Sequence, residues 1–491
     1  MTTSIAPMRT GDDAGPQTNA ATVQSQATAL VKLAAAAELW HTADGTAYAT
    51  VEVQSWREHW RLRSRAFGQW LARRHFADHR AAPNASALAD ALAVLEARAR
   101  FEGEELQVFS RVAGHEGQIF LDLADRRWRA VAIAAGRWSV VERPSVRFRR
   151  AKAVLALPEP MPGKPFDRLR RFINVGDDDW PLVAAWLVAA LRPTGPYPIL
   201  FLHGEQGSGK STQGRVLRAL VDPNSAPLRA GPREAHDLAL AAHNGWVIAL
   251  DNLSRLPGWL SDALCRLSTG GGFATRTLFE NDEETIFDAQ RPVLVTGIED
   301  LASRSDLLDR ALVVQLPVIE PSRRRSEAEF WREFEEERPW LVGALVEAAA
   351  TALAGLSTVN LPQLPRLADF ALWAAAAEPA LGCPAGTFAR LYSQHNEAVS
   401  LFALESNPLA MPLLKFVLAG AWRGTAAELL TALDQQVPVA ERRRCDWPRG
   451  LAQFSGMLRR LAPSLRAFGV LIEFARDGQQ GRRVIDLRLA P

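Results

Sequence analysis

The stretch Ile199-Leu200-Phe201-Leu202-His203-Gly204-Glu205-Gln206-Gly207-Ser208-Gly209-Lys210-Ser211-Thr212 decides the fold. Its first four residues are an unbroken apolar run ending at His203, the pattern of a strand buried on both faces. From Gly204 to Ser211 the chain fits G-x-x-x-x-G-K-[ST] at every fixed position, and helical spacing resumes over Gln213 to Leu220. Strand, glycine-rich loop and helix N-terminus are the parts of a phosphate cradle. Glycine lets successive backbone N–H groups turn inward, the helix adds the positive end of its dipole, and a lysine neutralises the outer phosphates. The expected ligands are ATP and Mg²⁺, with Gly204, Glu205, Gln206, Gly207, Ser208, Gly209, Lys210, Ser211 and Thr212 around the phosphates and Ser211 on the metal.

A cradle of this kind needs an acidic residue at the end of a neighbouring strand to hold the metal through water. Trp246-Val247-Ile248-Ala249-Leu250-Asp251 supplies Asp251, which would otherwise be a strand-end turn residue. The next residue is Asn252, where a carboxylate base is usual in hydrolysing enzymes. An amide orients water but takes no proton, so turnover is expected either to be slow or to recruit Glu205, Glu280 or Glu299. Pro292-Val293-Leu294-Val295-Thr296 is a buried strand ending in a hydroxyl, and Thr296 is the candidate sensor of the γ-phosphate. Arg310, between Asp309 and the apolar run Ala311 to Leu316, is either an arginine finger for a neighbouring subunit's nucleotide or a salt-bridged helix end. Arg366 is a second, weaker sensor candidate.

The 491 residues surround this core with several domains. Residues 1–28 are rich in Thr, Ser, Gln and Ala and are expected to be a disordered tail. An α+β domain is expected over 29–157, with a strand at Ala47 to Val53, a helix at Ser55 to Phe76 carrying Trp56, Trp60, Phe67 and Trp70 on one stripe, and a second helix at Ala85 to Phe101. Pro158 to Pro165 reads as a linker, 166–317 as the nucleotide-binding domain and 318–406 as a helical lid. Residues 409–491 read as three helices followed by a hairpin, a winged-helix order. This last unit holds thirteen basic against seven acidic residues, whereas the whole chain is only +2. Arg459, Arg460, Arg466, Arg482 and Arg483 are its DNA-binding candidates, the alternative being a module for packing or protein contact. Phe148, among Arg147, Arg149, Arg150 and Lys152, is either a solvated strand edge or a platform for single-stranded bases.

Composition excludes several classes. At 48% apolar residues the chain is globular rather than disordered, and a net charge of +2 confines nucleic-acid contact to local patches. Its 57 basic residues include only five lysines, the bias of a GC-rich genome. Cys265, Cys383 and Cys445 are too scattered for a disulfide framework or a paired-cysteine zinc site. The longest apolar stretch, Trp180 to Leu191, is too short to span a bilayer, and no secretory leader is evident, so a cytoplasmic location without membrane contact is expected.

Taken in order, these motifs resemble the AAA+ ATPase core of superfamily 3 helicases and of phage or plasmid primase-helicases, over Phe166 to Pro317. Gly204 to Lys210, Asp262 to Ala274 and Gly297-Ile298-Glu299-Asp300 resemble ATP-binding proteins of prophages and integrative elements. The resemblance implies an α/β P-loop core with an N-terminal α+β domain and a C-terminal winged helix. It also implies an ATP-dependent DNA motor, a helicase or replication initiator of a mobile element, assembled as a homo-oligomeric ring. Those helicases grip DNA with a basic hairpin tip before the sensor strand. Here the corresponding strands, Thr275 to Phe279 and Thr285 to Asp288, flank the acidic Glu280-Asn281-Asp282-Glu283-Glu284, which repels phosphate. Two other classes stay open: an ATP-switched DNA-binding or loader protein that does not translocate, and a P-loop kinase.

Overall fold

A computed structural model gives the fold, describing residues 25–254, 256–271, 273–276, 284–287, 289–297, 305–405, 407–442, 447–477 and 482–490. The chain forms two compact units, Met1–Gln107 and Val108–Pro491.

In the first unit, helix α1 (Gln26–Leu33) precedes strands β1 (Glu38–His41), β2 (Ala47–Val53) and β3 (Trp56–Arg61). Helices α2 (Arg65–His79) and α3 (Ala85–Phe101) and strand β4 (Glu104–Glu105) follow, and the sheet runs β3-β2-β1-β4. Ala47, Ala49 and Val51 on one face of β2 pack with Phe67, Leu71, Ala91 and Leu95 from the helices. The helix expected over Ser55 to Phe76 is thus split. Gln54, in the left-handed region at φ 57°, reverses the chain so that Trp56 pairs with Val53, and the helix begins only after Ser64, whose hydroxyl caps it. The tryptophans that mimic a helical stripe include two on a strand.

The second unit opens with strands β5 (Val108–Phe109), β6 (Val112–His115), β7 (Gln118–Asp122), β8 (Ala130–Ala134), β9 (Arg137–Val141) and β10 (Arg147–Phe148). Strands β6 to β9 form an antiparallel meander. The unit boundary at 107/108 therefore falls inside the expected 29–157 domain. Arg111 ties the meander to the residues beyond it in the chain. Its guanidinium is buried, meets Asp222 at 3.1 Å and donates to the carbonyls of Asp122 and Leu155 at 2.9 and 2.8 Å.

Next come α4 (Trp180–Ala189), β11 (Ile199–His203), α5 (Lys210–Val221), α6 (Ala235–Asn244), β12 (Ile248–Leu253) and α7 (Gly258–Thr269). A hairpin, β13 (Phe273–Arg276) and β14 (Glu284–Phe287), leads to β15 (Val293–Gly297), α8 (Ser305–Leu308) and β16 (Ala311–Gln315). Residues 277–283 between the hairpin strands, Glu280 among them, lie outside the described residues, as do Glu299 and Cys445. The main sheet is parallel, in the order β12-β15-β11-β16, with Arg229 adding a single parallel bridge at Leu250. Alternation along β11 shows how the sheet is covered: Leu200 and Leu202 face the core shared with α4 and α5, while Ile199 and Phe201 face the core under α6 and α7.

Helices α9 (Glu327–Gly355), α10 (Ala368–Leu381) and α11 (Thr387–Glu405) continue the first of these cores. The chain ends in α12 (Ala410–Leu418), β17 (Trp422–Gly424), α13 (Ala426–Gln436), α14 (Val439–Arg442), α15 (Leu451–Ala467), β18 (Val470–Asp477) and β19 (Arg482–Leu489), with the sheet order β17-β19-β18. Strand β17 was not legible in the sequence. Thr425 caps α13 through a reciprocal box with Glu428. No helix among the described residues is long and apolar enough to cross a membrane.

Candidate functional site

The C-terminal ends of β11, β12 and β15 converge on the glycine-rich loop. Gly209 sits in the left-handed region at φ 81° as the N-cap of α5, a conformation that glycine adopts without strain and that starts the helix directly beneath the loop. Ser208 is fully buried, its hydroxyl donating to the Glu205 carbonyl at 2.9 Å. Lys210 folds back over the loop, its Nζ donating to the carbonyls of Gly204 at 2.6 Å and Glu205 at 3.0 Å. Those are weak acceptors compared with a phosphate, so the ammonium is held where an anion entering the loop would draw it off. His203, at the strand end, has its pKa lowered by burial and by the Lys210 cation.

Sequence-expected residues from helix α5 and strands β12 and β15 meet here. Ser211 Oγ donates to Asp251 Oδ1 at 2.9 Å. Thr296, 1% exposed, donates to the same Asp251 oxygen and accepts the Asn252 N–H at 3.1 Å. Asn252 has φ 52°, and a Cβ on Gly297 would stand 2.9 Å from its Cα, so the bend after Asp251 is locked by a hydroxyl on one side and a glycine on the other. Asparagine tolerates that backbone conformation better than glutamate, a physical reason for its place there. Two hard oxygen donors, one hydroxyl and one carboxylate, form a set that fits Mg²⁺, which takes one or two protein ligands and completes its shell with water and phosphate.

Beside the loop lies a cavity of about 520 Å³, walled by Phe172, Ile173, Asn174, Thr212, Ile319 and Arg324 among others. Asn174 and Arg324 escaped the sequence reading because neither stands in a motif. Arg310 is turned toward α7, its Nη1 lying 3.8 Å from Cys265 Sγ, and Arg366 pairs with Asp309 at 2.7 Å.

In the C-terminal region α15 buries Phe454, Leu458, Leu461 and Leu465 and packs against α8, α11 and α13. Arg459, Arg460, Arg466, Arg482 and Arg483 are all exposed, Arg459 lying over the Phe474 ring at 5.4 Å and Arg482 pairing with Glu428 at 2.8 Å. The Phe148 cluster is no platform for bases. Phe148 is buried, Arg150 binds Asp122 and covers Trp128 at 4.0 Å, and Arg149 donates to the His243 carbonyl.

Comparison with known proteins adds the setting. Residues 166–395 match the family model described as the actinomycete integrative conjugative element replication protein, and residues 409–491 match that of the AICE RepA C-terminal domain. No curated protein matches. Among solved structures, one described as SCCmec type IV Cch, an active helicase, is 11% identical over 92% of each chain with a TM-score of 0.47. The apo C-terminal region of NrS-1 is 12% identical, covering 94% of this chain and 98% of that one, with a TM-score of 0.40. The family matches make the chain similar to replication proteins of mobile elements, the setting that the motif resemblance implied.

Proposed function

We propose that the chain is an ATP-dependent, DNA-acting motor of AAA+ type, a helicase or helicase-like initiator that replicates a mobile element. The observation that carries this is the meeting of Ser211, from the first turn of α5, with Asp251 and Thr296, from the ends of the adjacent parallel strands β12 and β15, at the mouth of the Gly204–Ser211 loop. On this reading the loop amides and Lys210 bind the phosphate chain. Ser211 directly and Asp251 through water would hold Mg²⁺, which would supply positive charge beside the β- and γ-phosphates. Thr296 fixes the orientation of the Asp251 carboxylate, and the Asn252 amide orients the attacking water without taking its proton. The neighbouring cavity has room for a nucleoside, with Phe172, Ile173 and Ile319 as apolar walls. Arg310 remains the candidate for action on a neighbouring subunit of a ring.

The C-terminal unit carries the DNA contact as a winged helix through Arg460, Arg466 and Arg483, a reading supported by its helix–strand–helix–helix–helix–strand–strand order, in which the short α14 is inserted between α13 and α15. A second reading, an ATP-switched loader that does not translocate, is favoured by Asn252. The deciding experiment is ATP turnover by the full chain with and without single-stranded DNA, beside strand displacement. DNA-stimulated turnover with unwinding supports the motor, turnover without unwinding supports the switch, and absence of ATP binding refutes both.

A further inference from the structure

We infer that Asn174 is a positioning residue of the phosphate loop, the side-chain clamp that sets the Ser208–Gly209 peptide; the inference rests on the phosphate-binding reading proposed above. Asn174 lies in the short connector between residues 166–171 and α4, far from the loop in sequence. Its Nδ2 donates to the Ser208 carbonyl at 3.1 Å and to the Pro317 carbonyl at 2.7 Å. Both partners are acceptors, so only the nitrogen can face them and the amide orientation is forced. The backbone N–H of Asn174 donates to Gln213 Oε1 at 2.9 Å, on a side chain only 4% exposed. One residue thus ties the loop, the first turns of α5 and the segment leaving β16.

Peptide geometry carries this tie into the cradle. In a trans peptide the C=O and the following N–H point in opposite directions. Drawing the Ser208 carbonyl outward to Asn174 therefore turns the Gly209 N–H the other way, toward the phosphate side. Gly209 at φ 81° has no side chain to resist rotation of that peptide, so an external tie is what selects its orientation before any anion arrives. A second tie is backbone only: the Ile319 N–H donates to the Gly207 carbonyl at 3.3 Å. Asn174 also lines the cavity beside the loop, so the clamp and the ligand share a wall.

The test uses the full chain with Asn174→Asp, which keeps the shape but sets oxygen against two carbonyls, and Asn174→Ala, which removes the donor without repulsion. ATP, tripolyphosphate and adenosine compete with a fluorescent ATP analogue, beside the thermal midpoint of the unliganded protein. A lost hydrogen-bond donor of this kind is expected to weaken ATP and tripolyphosphate by about tenfold in both variants, more in Asn174→Asp, and adenosine, whose cavity Asn174 also lines, by clearly less. Equal losses for adenosine and tripolyphosphate with a lowered midpoint would mean a merely structural role and overturn the inference. Parental affinities in both variants, with Lys210→Ala unable to bind ATP, would overturn it while sparing the phosphate-loop reading. ATP binding by Lys210→Ala as tight as in the parent would refute that reading itself.

Discussion

Replacing Thr296 by valine probes the join between the strand ends. Valine matches threonine in shape, so no cavity opens at this buried site, and the change isolates the hydroxyl. Two bonds disappear: the donation to the Asp251 carboxylate and the acceptance of the Asn252 N–H at 3.1 Å. A hydrogen bond to a charged group contributes about 1.5–3 kcal/mol, and a stranded amide costs about 1–3 kcal/mol. Asp251 is half-buried and keeps the Ser211 hydroxyl at 2.9 Å, so water and that partner recover part of the loss. The expected net effect is about 3 kcal/mol. Thr296→Ser keeps the oxygen and is expected to stay within about 1 kcal/mol of the parent. Urea unfolding monitored by tryptophan fluorescence gives both values, and Mg²⁺-dependent ATP turnover is expected to fall more than about tenfold in Thr296→Val only. A Thr296→Val protein as stable and as active as Thr296→Ser would refute the reasoning, because the hydroxyl would then not be what holds Asp251 and the bend at Asn252.

Other perturbations have equally definite outcomes. Asp222 is buried, meets Arg111 at 3.1 Å and accepts the Trp246 and Val247 N–H groups at 2.9 and 3.1 Å, so Asp222→Ala is expected to lose about 3–5 kcal/mol in urea unfolding; a loss below about 1 kcal/mol would contradict the network. His395 on α11 accepts the Val313 N–H at 3.2 Å, and burial lowers its pKa to about 4. Because the folded pKa lies below the unfolded value, its contribution is complete above about pH 6.5 and is lost as pH falls toward 4, about 2 kcal/mol by pH 5. The midpoint difference between pH 7.5 and pH 5 should therefore shrink in His395→Gln, and an unchanged difference would rule His395 out as the source. Asn252→Glu places a base after Asp251 but at φ 52°, so it is expected to cost about 1 kcal/mol of stability while raising turnover if a missing base is the limit; Asn252→Gly should be near neutral in stability. For DNA, charge reversal at Arg460, Arg466 and Arg483 is cleaner than deleting 409–491, since α15 packs on α8 and α11. Removing each arginine that neutralises a phosphate should flatten the salt slope by about 0.9, and an unaltered slope would locate the DNA contact elsewhere.

The amino-acid sequence by itself determined the parts of the site whose chemistry is local. The turn from Gly204 to Gly209 and the helix start at Lys210 were legible from spacing, because closely set glycines after an apolar run mark a tight strand-to-helix connection in local sequence. The strands at Ile199 to His203 and Val293 to Thr296 come from runs of apolar residues that only a sheet covered on both faces can bury. Tertiary structure alone decided which distant side chains complete these parts. Asn174 reaches the loop across 34 residues, and Arg111 reaches Asp222 across 111, neither with any periodic or motif trace. Tertiary pairing also overrode a local pattern where Trp56 and Trp60 joined a hairpin rather than a helix, since the bulky side chains fit a strand beside β2 as well as a helical stripe. Likewise Arg366 and Arg310 carried a charge legible in sequence, but what each meets, Asp309 and Cys265, was fixed by how α7, β16 and α10 pack. Hydrogen-bond partners of this kind are set by distance in space, and the chain's order holds no record of that distance until the sheet and its helices close around it.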